Sequence, residues 1–409
     1  MITEALRDDF PILKRRMMGH PLIYMDSGAT ALKPRCVIDA VSAYYTQLGA
    51  NAHRGDYELS AEVDQRFENA RDTAAAFLHA ADRREIVFAS GSSAALNQIA
   101  SGYVLPRLQE GDVILSDVAE HASSVLPFMR AARQKGARME YIPLDEQGRI
   151  TMDNVKKAIH ERVRFIVIAH ITNVLGQQAP VQEICALAHA QGITVIVDGA
   201  QAAPHLPVDV QQLDCDFYVF SAHKLCGPTG IGVLYGKKAL LDACEPLYLG
   251  GGSNARFDAC GNLQLKETPF KFESGTPAIE GALGMKAAID YLQALGMADI
   301  HAHEQQLRAY MVAGMKQMDH VILYNEEADS GIVTFNVKNV FAQDAASWFN
   351  ANGIALRSGQ HCAKLLVEFL GTSATLRASL YVYNTKAEID RFLEVLQGCT
   401  MENCLNIFF

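Results

Sequence analysis

The stretch Asp216–Tyr235, DFYVFSAHKLCGPTGIGVLY, holds the most informative run of the chain. An apolar run ends in Ser221, His223 and Lys224, a Gly/Pro turn follows, and a second apolar run closes the segment. The pattern predicts two strands, Phe217–Ser221 and Ile231–Tyr235, joined by a tight connection. A lysine at the end of a buried strand has little access to water. Lysines are rarely buried without a partner. Lys224 is therefore either an ordinary lysine at a strand end or a residue with a chemical task, and its neighbours along the chain decide between the two.

Upstream, further short apolar runs read as strands at Glu85–Ala89, Val113–Ser116, Arg138–Ile142, Arg164–His170 and Ile193–Asp198. Helical patterns lie between them at Ser92–Leu105, Ser123–Lys135, Met152–His160 and Val181–Gln191. Runs such as FIVIAH and ITVIVD are apolar on both faces, which predicts a mostly parallel α/β sheet. Sites in such sheets lie beyond the carboxyl ends of the strands, where Asp198, Ser221 and Lys224 fall. The segments Ala52–Tyr57 and Gly250–Pro269 read as loops, and Ile279–Leu295 as a helix leading out of the large domain. From His301 to Gln397 the alternation changes toward a compact α+β unit. The expected division is a large domain at 15–290 and a small one at 291–409, with residues 1–14 packing on the latter.

The bulk numbers agree with a globular protein. Of 409 residues, 49% are hydrophobic and 20% charged, enough for a sizeable core. A net charge of −10 gives no electrostatic reason for nucleic acid or an anionic membrane as partner. The start, MITEALRDDFPILKRR, has no apolar signal-peptide region, and no run is long enough to span a bilayer. Nine cysteines without a CxxC pair suit free thiols in a reducing compartment better than disulfides or zinc. These features predict a cytoplasmic protein with no metal site.

A desolvated lysine amine is a nucleophile toward carbonyls, and pyridoxal 5′-phosphate (PLP) is the aldehyde cofactor it would bond. Asp198, one helix or loop plus a strand before Lys224, is a helix cap, a metal ligand or the partner of a PLP ring nitrogen. Gln201 can reach the phenolic oxygen of such a ring. Ser92 and Ser93 open a helix after a strand, where backbone N–H groups either bind phosphate or are simply capped. His121, one of thirteen histidines, is a structural residue or a stacking and proton-exchanging one. Asn173 also stands at a strand end. Cys362, in IALRSGQHCAKLL, is one of nine inert cysteines or a thiolate on a flexible loop beside His361. Arg377, amid apolar residues, needs an anion, either a substrate carboxylate or a structural partner. Arg357 and the pair His53–Arg54 have weaker claims on substrate.

Taken together, these residues resemble a known family. DFPIL, LIYMDSGATALKP, AHRG, EHAS, TNVLG, VDGAQAAPH, SAHKLCGPTGIGVLYG, KFESGTPA, RSGQHCA and RASLYVYNT span nearly the whole chain. They resemble the class V aminotransferase group of PLP enzymes and, within it, the group II (SUF-type) cysteine desulfurases, which include selenocysteine lyase activity. The resemblance implies fold-type I, with a mostly parallel seven-stranded sheet in the large domain and a smaller α+β domain. It implies that Lys224 bonds PLP, with Asp198 on the ring nitrogen, Gln201 on the phenolic oxygen and His121 stacked on the ring. Ser92, Ser93, Ser221 and His223 would hold the phosphate, with Thr276 reaching in from the second subunit of a homodimer. Asn173 and Arg377 would hold the carboxylate of L-cysteine or L-selenocysteine. Cys362 would take the sulfur as a persulfide and pass it to an acceptor protein, for iron–sulfur cluster assembly or other sulfur supply. Selenocysteine lyase, aminotransferase and epimerase are the alternatives within the same family. The chain departs from the family pattern at Gln360, where a second histidine is usual, and in EHAS, which lacks a second histidine and an asparagine.

Overall fold

The structure is a computed structural model that describes residues 2–53 and 55–407. A short strand, β1 (Ile23–Tyr24), precedes a long helix, α1 (Glu58–Phe77). The large sheet follows as β2 (Ile86–Ala89), β3 (Val113–Asp117), β4 (Arg138–Ile142), β5 (Val163–Ala169), β6 (Thr194–Asp198), β7 (Phe217–Ser221) and β8 (Gly232–Gly236). Helices α2 (Ser92–Ile99), α3 (Ala122–Lys135), α4 (Met152–Ala158) and α5 (Val181–His189) lie among these strands.

In space the seven strands run β2-β8-β7-β6-β5-β3-β4. Only β8 is antiparallel to its neighbours. Strands β7 and β8 are buried at every residue, and β5 and β6 at all but one. The continuous Val/Ile/Phe runs are the sequence imprint of a sheet covered on both faces. The strand expectations hold to within a residue or two at each end. The expected helix Ser92–Leu105 ends as an α-helix at Ile99 and continues as a π-helical turn, Ala100–Val104. There Gly102 approaches the carbonyl of Glu245 so closely that a Cβ would lie 2.0 Å from it.

Beyond helix α6 (Ile279–Leu295) and helix α7 (Met297–Met315) the second sheet begins. Its strands are β9 (Val321–Leu323), β10 (Ile332–Val337), β12 (Arg357–Gly359) and β13 (Thr375–Ser379), in the order β9-β10-β13-β12, all antiparallel. Strand β11 (Ile354–Ala355) stands apart and pairs in parallel with β1. Helices α8 (Ala342–Ala351), α9 (Lys364–Phe369), α10 (Lys386–Gln397) and α11 (Met401–Asn406) complete the chain. The run IALRS therefore serves two sheets, which periodicity cannot reveal. Ile23 and Met25, grouped with the large domain on sequence, pack in the second hydrophobic core. Near the start, Phe10 packs edge-on against Tyr291 and Tyr383. The segment read as loop at Gly250–Pro269 contains a hairpin, Asn254–Phe257 with Leu263–Leu265. Its turn is closed by Asp258, whose Oδ1 accepts the N–H groups of Cys260 and Asn262 at 2.9 and 3.0 Å.

Arg71 of α1 ties three parts of the large domain together. Its guanidinium donates to both oxygens of Glu273, at 2.7 and 2.8 Å, and to the Ile86 carbonyl at 2.9 Å. It also stacks 4.6 Å from the Phe88 ring centroid. Removing one member of a buried pair strands the other's charge. Arg71→Ala is therefore expected to lower the unfolding free energy by about 3–5 kcal/mol, measured by urea denaturation followed by circular dichroism.

Candidate active site

A cleft of about 180 Å³ opens at the carboxyl ends of the parallel strands, between the two sheets. Asp198, Gln201, Ser221 and Lys224 line it from β6, β7 and the turns that follow them. Asp198 is buried, and two donors hold its carboxylate: Ser124 Oγ at 2.8 Å on Oδ2, and the Ala200 N–H at 2.9 Å on Oδ1. Gly199 allows this turn, because a Cβ there would lie 2.0 Å from the Tyr218 ring.

Lys224 is half-buried, and among the described residues no hydrogen bond or ion pair holds its amine. Burial lowers its pKa to about 8, although the Asp198 charge opposes the shift. His121 caps α3, and its Nδ1 accepts the Ser123 N–H at 3.1 Å. A backbone N–H can only donate, so the imidazole proton sits on Nε2. Burial first, then Lys224, lowers the His121 pKa, so the ring is neutral near pH 7. Partial burial first, then the Lys224 and Lys33 charges, lowers half-buried His223 to about 4, so it is neutral as well.

One end of the cleft is built for an anion. Ser92 and Ser93 begin α2, where Gly91 at the cap position supplies no side chain. The Ser92 N–H donates to Ser221 Oγ at 2.8 Å, and Ser93 Oγ bonds Ser123 Oγ at 2.6 Å. A helix N-terminus ringed by hydroxyls favours phosphate.

The opposite wall carries the arginines. Arg357 and Arg377 face each other across β12 and β13 and share Asp26, at 3.3 and 3.5 Å. Arg377, only 2% exposed, also donates to the Asn173 carbonyl at 2.7 Å. Gly28 lets the chain pass here, since a Cβ would lie 3.3 Å from this guanidinium. Two cations around one carboxylate leave an excess positive charge for a ligand carboxylate.

Cys362 lines the cleft and is exposed at its mouth. Sequence suggested a flexible loop; instead, the turn between β12 and α9 is short and anchored. The Ala122 N–H donates to the Cys362 carbonyl at 2.7 Å, and Asn173 Nδ2 donates to the His361 carbonyl at 2.7 Å. His361 Nε2 faces Thr375 Oγ1 at 2.9 Å. Burial lowers the His361 pKa to about 3, so it is a neutral anchor and carries no positive charge to offer the neighbouring thiol.

Two expected residues, Thr276 and His53, lie outside this cleft. Thr276 is exposed and lines a separate groove with Leu247 and Tyr248. His53 lies between Glu68, 3.3 Å away, and the rings of Phe67 and Phe270. Arg54 is outside the described residues. Sequence reasoning assigned no role to Asp26, Gly28, Ser123 or Ser124. Asp26 and Gly28 lie in DSGAT, whose density of Gly, Ser and Asp was the available signal.

The cleft fits PLP. Four buried polar atoms from residues lining it lack partners: Asn173 Oδ1, Gln201 Oε1, His361 Nδ1 and Arg377 Nε. Buried polar atoms are rarely left so unless a ligand or water completes them. An amine, a carboxylate and a hydroxyl-ringed helix N-terminus match the aldehyde, ring nitrogen and phosphate. The aminotransferase class-V profile matches residues 23–392. The chain belongs to this family. A probable cysteine desulfurase of Halalkalibacterium halodurans is 43% identical over 97% of this chain and 98% of the relative. A cysteine desulfurase of Cronobacter sakazakii is 40% identical over 95% of this chain and 96% of its own. The crystal structure of the Escherichia coli cysteine desulfurase CsdA, in an S-sulfonic acid form, matches with a TM-score of 0.91 at 35% identity. That match covers 100% of this chain and 99% of CsdA.

The lowered Lys224 pKa has a measurable consequence. Its neutral form is the nucleophile, so the rate at which the apo-protein captures an aldehyde should climb with pH and level off above about 8. A surface lysine would still be climbing well beyond that point. Borohydride trapping at each pH with peptide mapping of Lys224 checks this.

Proposed function

We propose that this class V enzyme is a PLP-dependent cysteine desulfurase that converts L-cysteine to L-alanine and takes the sulfur onto Cys362. One observation carries the reading: the Lys224 amine and the Cys362 thiol line the same small cleft, with Asp198 on its floor. An aminotransferase has no use for that thiol. Relatives named cysteine desulfurase support the reading at about 40% identity over nearly the full chain.

Lys224, Asp198, Gln201, His121 and the serines at α2 would hold the cofactor. Bound there, it supplies an electron sink for the substrate carbon. The chain's own groups do the rest. Arg377, backed by Arg357, orients the substrate carboxylate. Lys224, once neutral, takes the proton from the substrate Cα. The Cys362 sulfur attacks the substrate sulfur: the S–S bond forms as the C–S bond breaks. Protons returned to the carbon skeleton give alanine. Thiol plus cysteine becomes persulfide plus alanine, so atoms and electrons balance without an outside oxidant. His121, protonated on Nε2, can relay protons at this point. Because Cys362 is exposed, a thiol on an acceptor protein can reach the persulfide. The nine unpaired cysteines fit a reducing, cytoplasmic setting.

We further infer a homodimer in which Thr276 completes the partner's phosphate site. Thr276 faces solvent in a groove whose rim includes Tyr248, 69% exposed, and Leu247, 38% exposed. Exposed apolar residues grouped at a groove mark an interaction surface.

Cys362→Ser is expected to keep the visible absorbance of bound cofactor while alanine formation from cysteine disappears. Retained alanine formation would show that another group accepts the sulfur. Light scattering should give the mass of two chains, and Tyr248→Asp should yield monomers with weakened PLP binding.

A further inference from the structure

Behind the cleft, the last residue of β3 and the connection to α3 hold two buried carboxyls that the chemistry above leaves unused. Asp117 is 0% exposed and Glu120 3% exposed. Asp117 Oδ1 accepts the Ala119 N–H at 2.6 Å, and Glu120 Oε1 accepts the Ala169 N–H. Ala169 is the register partner of Asp198 on the adjoining strand and lines the cleft. Their other oxygens, Asp117 Oδ2 and Glu120 Oε2, are buried and receive no donor from elsewhere. The two carboxyls lie within hydrogen-bonding range of each other. The charged groups facing Glu120 are both carboxylates, Asp117 from its own segment and Asp198 from β6, while Asp117 faces only Glu120. Among the described residues neither carboxyl has a Lys, Arg or His partner.

Two carboxyls in buried contact with no cation cannot both ionise. We propose that Glu120 carries a proton in the folded enzyme and donates it to Asp117, acting as a neutral positioning residue between the cleft floor and the His121 helix. The proton belongs on Glu120 because the charges of both Asp117 and Asp198 act on it, whereas Asp117 faces Glu120. The segment then fixes both strand ends at once. Glu120 holds Ala169, and Ser124, four residues on, holds Asp198. Burial pushes Asp117 up to about 6 and Glu120 further above its ordinary range, consistent with the charge of the pair settling on Asp117. The importance of this strut for the reaction rests on the PLP reading of the cleft, whereas the protonation of Glu120 does not.

A carboxyl held protonated in the folded state is ionised in the unfolded chain near neutral pH. Folding then takes up a proton, and stability falls as pH rises from about 4 through the raised folded values. Glu120→Gln keeps an acceptor for Ala169 and a donor for Asp117 without the titration. The test follows the melting temperature of the holoenzyme from about pH 5 to 8, with calorimetric enthalpies, to count protons taken up on folding. Glu120→Gln is expected to take up about one proton fewer than wild type. Its PLP dissociation constant, from absorbance titration, should stay within about threefold, while Glu120→Ala weakens PLP by about tenfold. Equal proton uptake in wild type and Glu120→Gln overturns the proposal, as does weakening by Gln equal to that by Ala. If Glu120→Gln does not fold, infrared spectra of the wild-type holoenzyme near neutral pH must show the C=O stretch of a buried protonated carboxyl, and its absence overturns the proposal. Failure of the PLP reading is separate: no cofactor band would appear in any variant, while the proton count would be unaffected.

Discussion

A carboxylate buried at the end of a parallel strand must be held by donors, and Asp198 is held by one side-chain hydroxyl and one backbone N–H. The rest of the site depends on that arrangement. The backbone donor, Ala200, lies one residue past Gly199, where only glycine clears the Tyr218 ring. The hydroxyl comes from Ser124 on α3, whose first turn also presents His121. Moving Asp198 would therefore disturb the helix that carries the histidine. Its charge is also what keeps the neighbouring Lys224 amine from losing its proton still more readily in a desolvated place.

The balance of charge follows from burial. His121, His223 and His361 are all pushed toward the neutral form by desolvation and nearby cations. The cations that remain are Lys224, Arg357 and Arg377, against the carboxylates Asp198 and Asp26. The cleft is thus set to receive negative charge at two ends, the N-terminus of α2 and the arginine pair. Neutral imidazoles suit such a place, since they can donate or accept protons without adding charge that would bind the ligand in the wrong register.

Much of this was legible in the chain because the large sheet is buried on both faces, which leaves uninterrupted apolar runs ending in polar residues. Asp198, Ser221 and Lys224 could be read as strand-end residues, and the structure puts them in one cleft. What the sequence hid has a common physical cause: contacts between residues far apart in the chain. Asp26 meets Arg377 across 351 positions, and β1 joins β11 in a pairing that no local period encodes. Ser124 is an ordinary helix-start serine until its distance to Asp198 is known. His53 and Thr276 show the converse, since motif resemblance grouped them with residues that the fold of a single chain keeps apart.

The cysteine turn shows how tightly the two halves are coupled. His361 and Cys362 both adopt left-handed backbone, at φ 50 and 59. Two consecutive residues of this kind cost about 1–2 kcal/mol each and persist only where surroundings over-determine them. Here the surroundings are the site itself. Ala122, next to His121, holds the Cys362 carbonyl; Asn173 holds the His361 carbonyl and is gripped in turn by Arg377. The thiol is thus placed by hydrogen bonds from the residue next to His121 and from Asn173, which Arg377 holds. An anchored thiol forgoes the reach of a long mobile loop. In exchange, any ligand that engages Arg377 acts on the same hydrogen-bond chain that fixes Cys362, since Arg377 holds Asn173 and Asn173 holds the His361 carbonyl.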